Sequence, residues 1–511
     1  MTAEVDGDLG PAAIDGAIEP AEAPSRRLPR IVDALHAMSI WQWLLIATIG
    51  GYTTYFSRVS LDVHNGLGTS AYDYGLYDQG VWLMSRFESP FVTLMGRNLM
   101  GDHTSFILVL LVPFFWFLPG PTVLLVGQSF VIALGAVPVF LLARRLLGNE
   151  VLAWVLACCY LLHPAVGWTN RENFHPDSFI GVLIGMAIYA AIERRWRMYL
   201  VFVVLTLMVK EDASLVVVPL GVWVALKRNV RIGLATIIGS LAFMAVAMLV
   251  VMRSLIGVPT RNGWRVPFGG PAGFIKTVFT DPLAVLSHYR SDGRPWYLWQ
   301  MTFPVAWVFL RAPSVALIST AVLAANMLST FWYQYQIEYH YALVAVPALV
   351  MGTVWAISKV GERWRSLLVL VVLCTSLWSA WAWGAVPFSR NVPYSWPPSH
   401  PVAVAGREII EVVPDDAVVA AQHSLTAHLA DRREIYMFPT PFSAELYGVD
   451  DSLAYQRLPA AERVEFVVLP ATLEPDDMLV WGREAGAFTL VAANDWWRVY
   501  QRSSMLDPAS G

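Results

Sequence analysis

The chain has 511 residues, of which 56% are hydrophobic and 14% charged, with 22 Trp, 24 Phe and a mean hydropathy of +0.51. Lys and Arg (35) nearly balance Asp and Glu (39), so no basic excess marks a nucleic-acid binder. Soluble domains carry about 25% charged residues, so this composition excludes a soluble multidomain enzyme and selects a polytopic α-helical membrane protein.

Residues 1–37 are rich in Ala, Pro, Asp and Glu and carry Arg26, Arg27 and Arg30 near their end. They read as a disordered cytoplasmic tail before an uncleaved first helix. A bilayer core of about 30 Å needs about 20 apolar residues as helix. The predicted spans begin with Met38–Ser57 and Thr122–Ala143. They continue with Val151–Thr169, Ser178–Ile192, Met198–Val209, Ala213–Leu226 and Ile232–Met252. Trp296–Leu310, Ala312–Trp332, Tyr341–Ser358 and Ser366–Val386 complete eleven transmembrane helices. The stretch Thr104–Leu118 is too short to cross and is predicted as a helix lying along or dipping into the outer interface.

With the N-terminus inside, the inner loops carry twelve Lys or Arg and the short outer loops only Arg171 and Lys210. That asymmetry predicts an N-in, C-out topology. A first outer loop then covers 58–121 and a second 253–295, closing a membrane module over 38–386. A Pro/Ser/Trp linker follows at 387–401, and 402–511 reads as a small extracytoplasmic α/β domain. Strands are predicted at Ala417–Ala421, Glu434–Phe438, Val464–Leu469 and Phe488–Ala493, with a helix at Ser424–Ala430. The three cysteines, Cys158, Cys159 and Cys374, lie inside apolar runs and suggest neither disulfides nor a zinc site.

Charges that the inner loops do not explain gather at the outer ends of the helices. The first loop holds Asp73 and Asp78, then Asp102 and His103. The third helix empties into N-R-E-N-F-H-P-D, with Arg171, Glu172, His175 and Asp177. Lys210, Glu211 and Asp212 join two apolar stretches of 12 and 14 residues, too short to reach the outer headgroups. Ionisable groups at that depth are costly unless paired or wet, and they mark a functional cavity by default. Glu338 and His340 sit in a further outer turn, and Arg261 and Arg265 lie in a Gly/Pro-rich loop. Such a set suits a lipid phosphate and a hydroxyl acceptor, with a carboxylate as general base and cations or a divalent metal receiving the phosphate. No G-x-S-x-G elbow supports Ser/His/Asp hydrolysis.

The runs Y-D-Y-G-L-Y-D-Q-G-V-W, G-D-H-T-S, N-x-F-H-P-D, K-E-D, E-Y-H-Y and P-D-D-A-V-V-A-A-Q-H-S-L-T-A-H-L-A-D-R-R-E-I-Y-M-F-P occur in this order over about residues 45–470. As a set they resemble the bacterial membrane-protein family of domain of unknown function 2079. That family is similar to the C-type glycosyltransferase superfamily, which includes protein O-mannosyltransferases, aminoarabinose transferases and mycobacterial arabinosyltransferases.

The resemblance implies a multi-pass enzyme of the bacterial plasma membrane, with juxtamembrane helices and a catalytic acid in the first outer loop. Its activity would be an inverting transfer of a sugar from a polyprenyl phosphate to an extracytoplasmic glycan, lipid or protein. By position, the catalytic acid falls on Asp73, with Asp78 second. Asp102, His103, His175, Asp177, Glu211 and Asp212 line the site or hold a metal, Lys210 and Arg171 meet phosphate, and Arg261, Arg265, Glu338 and His340 are further substrate-binding candidates. The sequence has no clear D-x-D, which leaves dependence on Mg or Mn open. Rival readings are a transporter or flippase of a lipid-linked substrate, for which no duplicated hydropathy pattern speaks, and a non-catalytic scaffold with the same fold.

Overall fold

The computed structural model describes residues 36–391 and 395–505, so the predicted tail falls almost wholly outside the described residues. The first helix, Ile40–Asn65, starts at a capping box in which Ser39 and Gln42 satisfy each other's backbone N–H groups. Helix is found on each of the eleven predicted stretches, but these helices differ in length. Among the described residues, four helices are long and apolar enough to cross a membrane: Thr122–Leu147, Val230–Ile256, His340–Ser358 and Glu362–Trp383. A fifth is the bent pair Glu150–Leu162 and Pro164–Arg171. In Val230–Ile256 only 17% of the apolar window is buried within the protein, which leaves that face for lipid.

The departures from the predicted spans have identifiable causes. Pro164 has no N–H, and the chain turns through 49° there, with the His163 ring accepting from the Ala165 amide. The expected span Trp296–Leu310 is broken. Helix Arg294–Thr302 ends before Pro304, and Ala306 and Trp307 adopt left-handed φ of 54° and 53°. Pro176–Ile192, Trp196–Leu207 and Ala316–Leu328 are shorter apolar helices. Thr104–Leu118, predicted as an interfacial helix, forms two 3₁₀ turns, Phe106–Leu110 and Val112–Trp116, separated at Leu111, with Pro113 in the start of the second. Val109, Leu110, Phe114, Trp116, Phe117 and Leu118 are all exposed there, an apolar edge of the kind that lies in a bilayer interface.

In the first loop a π turn, Ala71–Gly75, runs into helix Leu76–Ser85. A two-stranded hairpin follows, β1 (Phe91–Val92) and β2 (Arg97–Asn98), and leads to the short helix Leu99–Asp102. Beyond Pro401 lies a five-stranded sheet of β3 (Val419–Ala421), β4 (Ile435–Met437), β5 (Phe466–Pro470), β6 (Phe488–Ala493) and β7 (Trp497–Arg502), in the order β4-β3-β5-β7-β6. β3 pairs parallel with β4 and β5; β7 pairs antiparallel with β5 and β6. β7 was not predicted, although its signals are present. Asn494 accepts from the Trp496 and Trp497 amides in the turn, and alternate strand residues Trp497 and Val499 are buried. The predicted helix Ser424–Ala430 shrinks to the single turn His423–Thr426.

The sheet unit and the first loop share one apolar core, in which Tyr74, Val81 and Leu94 pack with Val402, Leu425 and Val468. Polar contacts fix the register: Thr93 Oγ1 donates to the Ile435 carbonyl (2.7 Å) and accepts from its amide (2.9 Å), and Arg97 donates to the Gly448 carbonyl (2.8 Å). Asp78 is part of this seam. It is buried, close to Asp431, and Gly120 packs so tightly against its carboxyl that a Cβ there would collide with it. Burial, and then the Asp431 charge, push the Asp78 carboxyl well above the usual carboxylate range.

Two predictions follow from this packing. Gly352, on helix His340–Ser358, meets the Ala316 backbone so closely that any Cβ clashes. Gly352→Val should destabilise the detergent-solubilised protein by about 1–3 kcal/mol, seen as a lowered thermal midpoint. For Asp78 the folded pKa is raised, so its contribution is fully present below the unfolded value of about 3.9 and is lost as pH rises through the folded value. Asp78→Asn should therefore gain stability over the native chain from pH 5 to pH 8, by up to about 1.4 kcal/mol per pH unit. Thermal midpoints measured at both pH values check this.

Candidate functional site

The ends of several helices converge on one buried cluster. After the Pro164 bend, helix Pro164–Arg171 delivers Glu172, and the chain from there to the 3₁₀ turn Pro176–Phe179 supplies His175 and Asp177. The turn Glu211–Ala213 presents Lys210, Glu211 and Asp212. His340 opens the helical segment that ends at Ser358. His175, Asp177, Lys210 and His340 are each no more than 5% exposed.

Lys210 Nζ lies 3.7 Å from Asp177 Oδ2 and 3.8 Å from Asp212 Oδ2, with the Tyr341 ring centroid at 5.5 Å. Burial opposes the ammonium charge, but the two carboxylates outweigh it and push the lysine pKa well above its usual value. Glu172 accepts from the His340 backbone amide and lies 3.0 Å from its Nδ1. Its other near partner is His175 Nε2, at 3.5 Å. The His175 and His340 rings stack with centroids 3.7 Å apart, 18° from parallel. His340 Nε2 faces Asp177 Oδ2 at 4.0 Å.

His103 Nδ1 is 2.7 Å from Glu211 Oε1, and the Thr104 amide donates to Oε2. Burial raises the Glu211 pKa, but His103, its hydrogen bond and Lys210 together pull it down to about 2. Glu211 thus ties the second part of the first loop to the membrane helices. Asp102 lies beside this pair, held by Arg97 Nε at 2.8 Å.

Asp73, on the π turn, is exposed only in part, and burial raises its carboxyl pKa. Its charge bears on Glu172, Tyr77 and Tyr339, which places it at the rim of the cluster. From the second outer loop, Arg265 donates to Tyr341 Oη (3.3 Å) and lies over the Phe331 ring, while Arg261 bears on Asp102 and Arg97. A cavity of about 40 Å³ beside Asp177 and Asp212 has room for a water.

Thus Asp73, Asp102, His103, His175, Asp177, Lys210, Glu211, Asp212, His340, Arg261 and Arg265 come together. Two other candidates, Asp78 and Arg171, point elsewhere. Asp78 is five residues from Asp73 and faces Asp431 across the loop–sheet seam, beside a hollow of about 550 Å³ lined by Arg407, His428, Asp431 and Arg432. Arg171 bears on Tyr55 of the first helix, whereas Glu338 bears on Tyr339 at the rim, as Asp73 does.

Glu172 sits at the centre of the cluster without having been among the sequence candidates for binding. Its signal was present: it is i−3 from His175 in a segment that leaves a helix, and i−5 from Asp177. Tyr341 and Tyr77 were also missed, because outer aromatics read as interface belts.

Comparison with known proteins gives the fold a precedent. The structure is similar to that of ArnT from Cupriavidus metallidurans bound to undecaprenyl phosphate, at a TM-score of 0.56 and 12% identity, covering 90% of this chain and 98% of that one. The apo state of the same protein gives a TM-score of 0.51 at 13% identity, covering 89% and 99%. The arabinofuranosyltransferase AftD from Mycobacteria is more distant, with a TM-score of 0.44 at 13% identity over 88% of this chain and 40% of its own. No curated protein matches the sequence. At such identities the likeness to ArnT shows the fold alone, that of a helical membrane protein. The family model for predicted membrane protein DUF2079 matches residues 63–494, and the chain belongs to that family.

Proposed function

We propose that the chain is an inverting glycosyltransferase that moves a sugar from a polyprenyl phosphate to an extracytoplasmic glycan, lipid or protein. The observation that carries this reading is a buried cluster of carboxylates around one lysine, Lys210, at the ends of helices whose fold matches ArnT over 90% of the chain. In this reading the chain sits in the bacterial plasma membrane with its N-terminus inside. The cluster and the sheet unit face outward, and the sheet unit orients the acceptor.

In the proposed reaction the Asp73 carboxylate takes the proton of the acceptor hydroxyl as its oxygen attacks the anomeric carbon. A new C–O bond forms on one face of the sugar while the bond to the phosphate oxygen breaks on the other, which inverts the configuration. The electron pair stays on the phosphate, which leaves as polyprenyl phosphate without needing a proton. Lys210, with Arg265 and Arg261 from the second outer loop, receives the negative charge that develops there. Asp177 and Asp212 hold the ammonium in place, and His103 with Glu211 fixes the first loop over the donor. Asp78 and Arg171 take structural places in this scheme.

The decisive measurement is release of free polyprenyl phosphate by the purified protein supplied with polyprenyl-phosphate sugars. Asp73→Asn should lower turnover about 10²- to 10⁴-fold; unchanged turnover removes Asp73 as the base. No turnover with any donor and acceptor tried turns the reading towards a transporter or a scaffold. The raised Asp73 pKa has a kinetic counterpart with a definite sign: a base must be ionised, so kcat/KM should fall as pH drops through a value above the ordinary aspartate value of about 3.9. Lys210→Ala should cost about 10²-fold in kcat/KM, whereas Asp78→Asn should keep most of the activity.

A further inference from the structure

Asp73 sits on the π turn Ala71–Gly75, which the Gly75 amide closes by donating to the Ser70 carbonyl at 3.0 Å. Single π turns are rare and frequently occur at functional positions. One hydrogen bond closes a wide ring, so contacts from outside the turn must offset the cost of ordering it. Some come from the membrane helices. The Ser70 amide donates to Asn173 Oδ1 (2.9 Å), and the Ser70 hydroxyl accepts from the Tyr72 amide (3.1 Å) and bonds the Asp73 carboxyl.

The other contacts come from the sheet unit, far along the chain. The Tyr72 hydroxyl donates to the carbonyl of Glu445, 373 positions later, at 3.0 Å. A Cβ on Gly75 would lie 3.7 Å from Ala427 Cα, so the turn rests directly on that segment. His428 acts one step further back. Its Nε2 donates to the His64 carbonyl at 2.9 Å, and the two rings stack with centroids 4.0 Å apart, 26° from parallel. His64, in the last turn of the first helix, lies 2.9 Å from Thr69 Oγ1 through Nδ1 and packs on the buried Tyr74 ring at 5.0 Å. Burial lowers the His428 pKa to about 4, so near neutral pH the ring carries no charge.

We propose that Tyr72 and His428 are positioning residues for Asp73, so that the sheet unit is the mould of the π turn that carries the carboxylate. The role of Asp73 rests on the transfer reading; the contacts that shape its turn do not. Loss of either contact lets the turn relax or open to water. A reacting group displaced by about 1 Å can lose about 10²-fold in rate. Lys210 and Arg265 are held by other partners, Asp177 and Asp212 for the first and Tyr341 for the second, so donor binding stays as it is. The Asp73 carboxyl, which faces Glu172, Tyr77 and Tyr339, becomes more exposed, and its pKa falls towards the ordinary aspartate value.

The test is amide hydrogen exchange in the full detergent-solubilised chain, read over residues 69–76. Tyr72→Phe and His428→Ala should each speed exchange there at least about tenfold, while strand β5 stays protected. His428→Gln keeps a donor for the His64 carbonyl and should restore most of the protection. Arg433→Ala breaks only the exposed pair with Glu88 at the same boundary and should leave exchange as in the native chain. In turnover, Tyr72→Phe and His428→Ala should lower kcat at least about tenfold at unchanged donor KM, and the acid limb of kcat/KM should move to lower pH. A merely structural role would reduce the amount of active protein and leave that limb in place. Native exchange over 69–76 in both variants overturns the proposal, and so does a raised donor KM at unchanged kcat. If His428→Ala also loses β5 protection, the sheet unit has come apart, and Tyr72→Phe, which removes one hydroxyl, decides alone. A native chain without turnover removes the transfer reading and leaves the exchange measurement to decide whether the sheet unit shapes the turn.

Discussion

Lys210 lies between Asp177 and Asp212 at 3.7 and 3.8 Å with almost no access to solvent. An ammonium in that position is tolerable only while carboxylates stay beside it, and those carboxylates need it in turn. Losing one partner leaves an uncompensated buried charge, so the elements that carry them are held in one arrangement. The turn after Trp196–Leu207 has to meet the turn before Ile180–Ile192, and the His340 segment closes over both. The other members of the cluster are arranged around this contact.

The backbone is irregular wherever it supplies a member of this cluster. The Pro164 bend, the 3₁₀ turns at 176–179 and 211–213, and the π turn at 71–75 all interrupt helix beside the apolar stretches. In an apolar solvent, non-helical backbone survives only where it is buried in protein or lines a cavity. Here the breaks are covered by one another and by the first loop. Hydrogen bonds from Gln128 to the carbonyls of Thr169 and Asn173, and from the His175 amide to Gln128, satisfy groups that the breaks expose. The short apolar stretches that flank Lys210 are the sequence trace of this geometry.

The sheet unit also supports the cluster, from the other side of the first loop. The apolar core shared by Tyr74, Val81 and Leu94 with Leu425 and Val468 holds helix Leu76–Ser85 in a fixed orientation. One side of the helix, with Tyr77, looks into the cluster, while Asp78 points to Asp431. Two aspartates five residues apart therefore divide into a residue at the rim of the site and a residue of the seam. Helical geometry said that they could not share a face; which one faced inward depended on where the sheet unit sits, some 350 residues later in the chain.

Charge scarcity and apolar run length were local signals, and they were enough to mark a membrane protein, the charged turns between its apolar stretches and most residues of the cluster. A short apolar stretch ending in Lys210-Glu211-Asp212 is legible without any partner, because burying charge is expensive wherever it occurs. What pairs with what was not legible. Glu172 reads as one more polar residue after a helix until His340, 168 positions away, closes on it. Strand β7 and the breaks at Pro304 and Ala306 likewise depend on neighbours from elsewhere in the chain. Sequence alone thus determined the apolar solvent around the chain and which few residues bring charge into it, since transfer free energies act residue by residue. The tertiary structure alone decided which carboxylate faces the lysine and which imidazoles stack, since Coulombic and hydrogen-bond energies depend on distances that only packing sets.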